Sequence, residues 1–286
     1  MTPTVYIVVG PTAVGKTAYA IELAKKLKTE IISADARQCF KELNIGVARP
    51  TTSELNAVKH HFIASHSIHE PVNAGVFETY ALEKTAELLN QYGSVVMVGG
   101  TGLYIKAFAE GMDAIPAIDP AIRLQIQNDL SNNGLTWLQG QVEKLDPTYW
   151  AAADLGEQQN AQRLSRALEV VVGTGQSILD FQQQQKKHRP FAIQKIGLEM
   201  PRAQLYDRIN QRVLQMVEMG LEEEVRSLVP QFNLNALQTV GYQEWLPYFE
   251  GKHSKDAVIN AIQQNTRHYA KRQMTWFKKD TTIQWS

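Results

Sequence analysis

The sequence predicts an α/β protein with a parallel sheet and a mostly helical insertion. Short runs rich in Val and Ile alternate with helical patterns in the first and last parts of the chain, as in strand–helix–strand units. A glycine-rich loop joins the first strand to the first helix, and β-branched runs become scarce in the middle of the chain. We therefore expect an α/β core with C-terminal helices at residues 1–114 and 191–286, and a helical insertion domain at residues 115–190.

The N-terminal elements alternate strictly. Thr4 to Gly10 has the pattern of a buried strand, Lys16 to Leu27 carries apolar side chains at helical spacing, and Glu30 to Ala34 is a second short strand. A helix over Val76 to Gln91 precedes a third strand, Ser94 to Val98. All three strands end in polar or glycine residues, at the edge where parallel sheets bind their ligands.

Prolines and glutamines bound the insertion. We expect hinges or linkers at Pro116 and Pro120 on one side, and at the run Gln182 to Gln185 before Pro190 on the other. Beyond the insertion, Ile193 to Glu199 is predicted to be the last strand. The helical stretches expected after it are, roughly, Arg202 to Met219, Leu221 to Leu228 and Ser254 to Lys279.

The composition excludes several classes of protein. With 286 residues, 44% of them hydrophobic and 20% charged, the chain is neither a disordered tail nor a membrane protein. It has no apolar run of about 18 residues and no signal-peptide pattern, so we expect a cytoplasmic protein without a membrane partner. The 29 basic and 29 acidic residues cancel, which argues against a general nucleic-acid coat but leaves a local basic patch open.

Residues Gly10 to Thr17, GPTAVGKT, match the pattern GxxxxGK[ST] of a P-loop. In such a loop, backbone N–H groups surround phosphate oxygens, the lysine adds charge and the hydroxyl reaches Mg²⁺. The third strand ends in Gly99-Gly100 and not in the Asp that NTP hydrolases use, which disfavours an ATPase. Two transferases remain open: an ATP-dependent kinase of a small metabolite, and an enzyme that releases diphosphate as its leaving group.

Two more polar residues follow predicted strands. Asp35 comes after the second strand, where its carboxylate is a candidate general base or a loop residue that caps the next turn. Thr101 stands among Gly99, Gly100 and Gly102, which permit close backbone approach to a ligand or simply tight packing.

Taken together, these segments resemble the tRNA dimethylallyltransferase (tRNA isopentenyltransferase) family in its compact bacterial form. The resemblance runs in order from about Val8 to Lys279, through GPTAVGKT, SADARQ, NIGVARP, HHFI, VGGTGLYIKA, RLSRALEV with GTGQSI, QTVGYQEW and QNTRHYAKRQMTWFKK. It implies transfer of a dimethylallyl group from dimethylallyl diphosphate to N6 of the adenine 3′-adjacent to the anticodon. We expect the protein to be a monomer. Val14 and Ala36 stand where the family commonly has Ser, but neither change removes an ionisable group.

The resemblance also implies roles for residues of the site. Asp35 would accept the proton of the N6 amine, Lys16 would stabilise the departing diphosphate, and Thr101 would hydrogen-bond near the bridging oxygen. Thr17 would hold Mg²⁺. The diphosphate contacts expected are Gly10, Thr12, Ala13, Val14, Gly15, Lys16, Thr17 and, in preference to Arg212, Arg208.

An adenine in a stacked anticodon loop must be extruded to reach such a site, so the enzyme must grip tRNA. The tRNA contacts expected are Asp35, Ala36, Arg37, Gln38, Thr101, Arg123, Gln159, Asn160, Ala161, Gln162, Arg163, Lys271 and Arg272. A solvated surface is the alternative for the insertion and helix residues. The last helix is expected to present Arg267, Lys271 and Lys278 on one basic face, and to bury Tyr269 and Trp276 in the core.

Overall fold

The computed structural model describes residues 2–182 and 186–286, so part of the expected linker, Gln183 to Gln185, lies outside the described residues. The chain divides into two compact units. The core unit consists of Met1–Gly111 and His188–Ser286, and the insertion unit of Met112–Lys187.

The predicted parallel sheet is confirmed. Among the described residues, six strands form one sheet in the order β3-β2-β4-β1-β5-β6, and every pair is parallel. The strands are β1 (Thr4–Val9), β2 (Ile31–Ser33), β3 (His60–His61), β4 (Ser94–Val98), β5 (Ala192–Gly197) and β6 (Ile283–Trp285). The expectation that β5 is the last strand was wrong: β3 and β6 are edge strands of two and three residues, too short to show a hydrophobic pattern.

The helices follow the predicted order. In the core unit they begin with α1 (Lys16–Leu27), α2 (Thr52–Ala57), α3 (Ala74–Tyr92) and α4 (Gly102–Glu110). The insertion unit holds α5 (Pro120–Leu145), α6 (Pro147–Ala152), α7 (Leu155–Gln158), α8 (Ala161–Thr174) and α9 (Ile178–Phe181). The core unit then continues with α10 (Arg202–Glu218), α11 (Leu221–Ser227), α12 (Leu246–Phe249) and α13 (Lys255–Phe277).

Both faces of the sheet are covered, which explains the long apolar runs of the central strands β1 and β4. Along β1, Val5, Ile7 and Val9 point into the larger apolar cluster with α3 and α4. The intervening Val8 packs on the other face with Ala20 and Ala24 of α1. The β1 register, with Val8 opposite both Val98 of β4 and Ile196 of β5, brings the carboxyl ends of the central strands to one edge.

The insertion unit has an apolar core of its own. Leu138 and Val142 of α5 pack with Leu164 and Leu168 of α8. The long helix α5 is broken at Gly134, whose φ of 73° lies in the left-handed region. Within the part of the chain that the structure describes, no helix combines the length and the apolar character needed to cross a membrane.

Candidate active site

A cavity of about 880 Å³ opens at the carboxyl ends of β1, β2 and β4. Its walls come entirely from the core unit: the phosphate loop, the turn after β2, the loop at residues 44–52, the Gly99-Gly100 turn, and helices α10 and α13. The polar strand ends recognised in the sequence therefore surround one space, as expected for a parallel sheet.

The phosphate loop lines this cavity with Ala13, Gly15, Lys16 and Thr17. Ala13 and Gly15 have φ values of 66° and 107°, and this left-handed backbone turns successive N–H groups toward one side. Lys16 Nζ donates to the carbonyl oxygens of Gly10 (3.0 Å) and Pro11 (2.7 Å). Burial lowers the pKa of Lys16 to about 7, against the raising effect of Asp35 and with a further lowering effect of Arg212.

Fewer backbone N–H groups of the phosphate loop are available to a ligand than the sequence predicts. The Thr12 N–H donates to Oε1 of Gln273 at 2.7 Å, and the Val14 N–H donates to the carbonyl of Pro11 at 3.4 Å. The Val14 side chain is buried in an apolar cluster with residues of α10, and Gly10 packs so closely on the Leu198 carbonyl that a Cβ would overlap it. Gly10 and Val14 therefore shape the loop from behind the cavity wall.

Asp35 lines the cavity immediately after β2. One of its carboxylate oxygens, Oδ1, accepts the N–H groups of Arg37 (2.9 Å) and Gln38 (3.2 Å). The carboxylate thus caps the turn, as one of the two sequence interpretations had it, and it also faces the space where a general base would be needed. The Gln38 side chain binds another segment of the chain: its Nε2 donates to the carbonyls of Val47 (3.2 Å) and Ala48 (3.0 Å).

Thr101 is half-buried beside Gly100, which lines the cavity. Its hydroxyl oxygen accepts the N–H of Ala36 at 3.0 Å and forms a hydrogen bond with Tyr269 of α13. Tyr269 also lines the cavity, so the expectation that it is a plain core residue was wrong. Burial raises the pKa of Tyr269, and the negative charge of Asp35 raises it further.

Arg208 and Arg212 both line the cavity from α10. Burial lowers the pKa of Arg212, and the positive charge of Arg208 lowers it further, which indicates that the two guanidinium groups lie close together. The sequence preference for Arg208 alone therefore has no counterpart in the geometry. With Lys16, the two arginines make one part of the cavity strongly positive, while Asp35 is an acidic group in the same space.

Sequence reasoning missed the residues that hold the loop at residues 44–50. Glu224 of α11 accepts the N–H groups of Ile45 (2.8 Å) and Gly46 (3.1 Å) and the hydroxyl of Tyr242 (2.6 Å). Gly46 is required here, because a Cβ would overlap the Tyr242 ring. No local pattern could have indicated these contacts, since Glu224 lies 179 residues from Ile45.

The basic face of α13 is smaller than predicted. Arg267 turns to Asn210 (2.6 Å), and Lys278 pairs with Glu199 (2.6 Å), so both cations bind their own chain. Exposed cations at Lys271, Arg272 and Lys279 surround Trp276 in a shallow depression. Trp276 is 41% exposed, which corrects its expected place in the core.

The insertion residues lie on α5 and at the start of α8. Arg123 makes a two-point ion pair with the buried Glu169, at 3.1 and 3.0 Å, and Arg163 pairs with Glu157. Asn160 caps α8 by accepting the Arg163 N–H at 3.2 Å, and Ala161 begins the helix. Gln159 and Gln162 are exposed.

The cavity offers a divalent cation several oxygen donors, chiefly the Thr17 hydroxyl and the Asp35 carboxylate. Among the described residues, no group of three His, Cys, Asp or Glu side chains is placed to hold a metal. Mg²⁺ is commonly bound by one or two protein oxygens, with substrate phosphates and water completing its shell. The Thr17 and Asp35 oxygens therefore fit a cation whose remaining ligands come from a phosphorylated substrate and water.

A phosphate loop on a parallel sheet, with Lys16, Arg208, Arg212 and Asp35 facing one cavity, defines the class of P-loop transferases. The family described as IPP transferase matches residues 38–280, and the chain belongs to this family.

Known relatives match along almost the whole chain. A tRNA dimethylallyltransferase of Christiangramia forsetii is 48% identical over 278 residues, 97% of this chain and 91% of the relative. One of Cytophaga hutchinsonii is 45% identical over 98% of this chain and 91% of the relative.

Solved structures show the same architecture. The full-length tRNA isopentenylpyrophosphate transferase of Bacillus halodurans has 34% sequence identity and a TM-score of 0.71, covering 99% of this chain and 89% of that one. A eukaryotic dimethylallyltransferase acting on tRNA has 22% identity and a TM-score of 0.77, covering 99% of this chain and 74% of that one, and so shares the fold.

Proposed function

We propose that this protein transfers a dimethylallyl group from dimethylallyl diphosphate to N6 of the adenine 3′-adjacent to the anticodon in tRNA. One observation carries the proposal: a chain of the IPP transferase family places its phosphate loop, two arginines and Asp35 around a single cavity. The relatives named above are tRNA dimethylallyltransferases, and none of them supports the alternative of a small-metabolite kinase.

The positive part of the cavity suits the leaving group. Lys16, Arg208 and Arg212 can surround a diphosphate, with the N–H groups of Ala13, Gly15 and Thr17 beside them. In a partly buried site such preorganised donors stabilise the negative charge that develops on the departing oxygen. Thr17 would hold Mg²⁺, which supplies further neutralisation of the diphosphate when bound.

Asp35 suits the acceptor side. The N6 amine attacks C1 of the dimethylallyl group, the N6–C1 bond forms as the C1–O bond to diphosphate breaks, and the Asp35 carboxylate takes one proton from N6. Because Oδ1 already accepts two N–H groups of the turn, we assign the proton to Oδ2. Thr101 and Tyr269 lie next to this carboxylate and support the wall that the adenine would meet.

The tRNA itself would contact both units of the chain. In the core unit, the exposed Lys271 and Arg272 would contact the phosphate backbone of the tRNA, and Arg37 would lie near the flipped base. In the insertion unit, the exposed members of the predicted segment are Gln159, Asn160, Gln162 and Arg163. Arg123 and Arg163 already pair with Glu169 and Glu157, so a bound tRNA would have to share these two cations with the carboxylates. We also propose that the protein acts as a cytoplasmic monomer, as expected from its sequence.

A two-label assay tests the proposal. The protein is incubated with Mg²⁺, unmodified tRNA and either labelled dimethylallyl diphosphate or labelled ATP. We expect label to enter tRNA only from dimethylallyl diphosphate, at the adenine 3′ of the anticodon. Label that enters only from ATP, or from neither donor, would overturn the proposal.

A further inference from the structure

One buried amide joins the two loops that meet at the cavity. Gln273 of α13 is only 5% exposed, and both ends of its carboxamide are used. Oε1 accepts the N–H of Thr12 in the phosphate loop at 2.7 Å, and Nε2 donates to the carbonyl of Gly100 at 3.0 Å. The phosphate loop and the turn after β4 are therefore both fastened to one side chain of the C-terminal helix.

The backbone on both sides is shaped around this contact. A Cβ at Gly100 would overlap Nε2 of Gln273, so the turn must carry glycine for the amide to reach the carbonyl. That same Cβ position lies 3.9 Å from Lys16 Nζ, which places the amide next to the diphosphate-binding lysine. On the opposite loop, the Thr12 N–H donates to Gln273 and is therefore not available to a ligand.

Helix α13 also supports the side of the cavity that holds Asp35, through a residue one helical turn before Gln273. Tyr269, four residues before Gln273, forms the hydrogen bond with Thr101, whose hydroxyl oxygen holds the N–H of Ala36 next to Asp35. One face of one helix thus contacts the phosphate loop and the Gly100 turn directly, and reaches the Asp35 turn through Thr101. The carboxamide offers an N–H donor and a carbonyl acceptor at one end, so an ionised Glu of the same length keeps one of the two hydrogen bonds and Met keeps neither.

We propose that Gln273 is a positioning residue of the transfer reaction, which holds the phosphate loop and the Gly100 turn at the separation that lets diphosphate and adenine amine lie in line. This inference rests on the proposed function. Transfer rates depend steeply on the placement of the reacting atoms, and an error of about 1 Å can cost about 10²-fold. Gln273 touches neither reacting group in this role and acts through the two loops.

The test compares Gln273→Met and Gln273→Glu with the same two changes at Gln264, an exposed glutamine of the same helix. Single-turnover rates with both substrates saturating isolate the chemical step from binding. We expect Gln273→Met to lower this rate by about 10²-fold, with the Kd for tRNA unchanged within about twofold. Gln273→Glu keeps the hydrogen bond from the Thr12 N–H but places a carboxylate oxygen against the Gly100 carbonyl oxygen, so its transfer rate should also be low. Both Gln264 variants should react like the unsubstituted protein.

A double-variant cycle separates positioning from a general loss of structure. Gly100→Ala should slow the reaction because its Cβ displaces Gln273, while Gly100→Ala combined with Gln273→Met should be no slower than the slower single variant.

Folded Gln273 variants that react within about twofold of the Gln264 controls would overturn the inference, as would fully additive losses in the cycle. The inference would also be overturned if the Gln273 variants had lower melting temperatures but reacted at the normal rate per folded molecule. Absence of transfer by the unsubstituted protein would instead refute the proposed function.

Discussion

Asp35 combines two tasks in one side chain. Its Oδ1 holds the turn after β2 by accepting two N–H groups, while the proposed chemistry needs only a carboxylate able to take a proton. An asparagine can perform the first task and not the second, so the two roles are separable by substitution.

We expect Asp35→Asn to lower the single-turnover transfer rate by about 10² to 10⁴-fold, the usual effect of losing a general base. Its melting temperature should stay close to that of the unsubstituted protein, because the amide oxygen still caps the turn. Asp35→Ala should lower the transfer rate by the same factor, and it should also reduce the unfolding free energy by about 1 kcal/mol. An Asp35→Asn protein that reacts at the normal rate would exclude the base role.

Lys16 makes diphosphate binding depend on pH. Its pKa of about 7 in the empty site means that raising the pH from 6 to 9 removes its charge. A bound anion favours the charged lysine, so binding raises the pKa and takes up a proton when the pH is above 7. The affinity for inorganic pyrophosphate should therefore fall as the pH rises, by up to about tenfold per pH unit.

The variant Lys16→Arg provides the control for this prediction, because arginine stays charged throughout the range. Pyrophosphate itself titrates, and the ratio of the two affinities at each pH removes its contribution. Calorimetry of both proteins from pH 6 to 9 measures the ratio. A ratio that does not change with pH would contradict the assignment of a titrating Lys16.

At the scale of elements, the loop at residues 44–50 is held by distant segments of the chain in addition to its own hydrogen bonds. Glu224 and Tyr242 hold its N–H groups from one side, and Gln38 holds its carbonyls from another. Burial and the negative charge of Glu224 raise the pKa of Tyr242, so the phenol remains a donor to Glu224 at neutral pH.

We expect Tyr242→Phe to reduce the unfolding free energy by about 2 kcal/mol, because the hydrogen bond from the buried phenol to the half-buried Glu224 carboxylate is lost. A looser loop should also raise the KM for dimethylallyl diphosphate, since residues 45–48 line the cavity. Denaturant unfolding and steady-state kinetics measure the two effects. Tyr19→Phe, at a tyrosine 40% exposed on α1, is the matched control and should change neither quantity.

The whole molecule carries 29 basic and 29 acidic residues, and many of its cations are neutralised within the chain. Arg123, Arg163 and Lys278 all have acidic partners. What remains at the C-terminal end of α13 and just after it is a small exposed group of Lys271, Arg272 and Lys279. Such a molecule suits one shaped RNA loop and not every polyanion.

The salt dependence of RNA binding tests this view. We expect the plot of log affinity against log salt for an anticodon stem-loop to have a slope of about −2 to −4, because few phosphates are contacted. Lys271→Glu should weaken binding and flatten that slope by about 1. Lys26→Glu, an exposed lysine near the end of α1 far from the phosphate loop, should leave it unchanged. A slope steeper than about −6, or one insensitive to Lys271, would contradict the prediction.

Prediction from sequence worked where a local pattern is sufficient. The bounds of α1 and β4 match the predicted ones, because helical periodicity in α1 and a continuous apolar run in β4 are visible in the order of the residues. The pattern failed for β3 and β6, whose two and three residues are strands only because β2 and β5 lie beside them. It failed again for Trp276, which follows the helical stripe but packs on the backbone of Gly102 and remains exposed.

The sequence by itself determined the class of fold, the phosphate loop, the candidate base and the family, because each depends on residues that are adjacent or regularly spaced. Only the tertiary structure decided which groups share the cavity and which are already occupied. Thr12 is held by Gln273 from 261 residues away, and Gln38 and Lys278 bind their own chain. Such contacts depend on how distant segments pack, and packing leaves no periodic signal in the order of the residues.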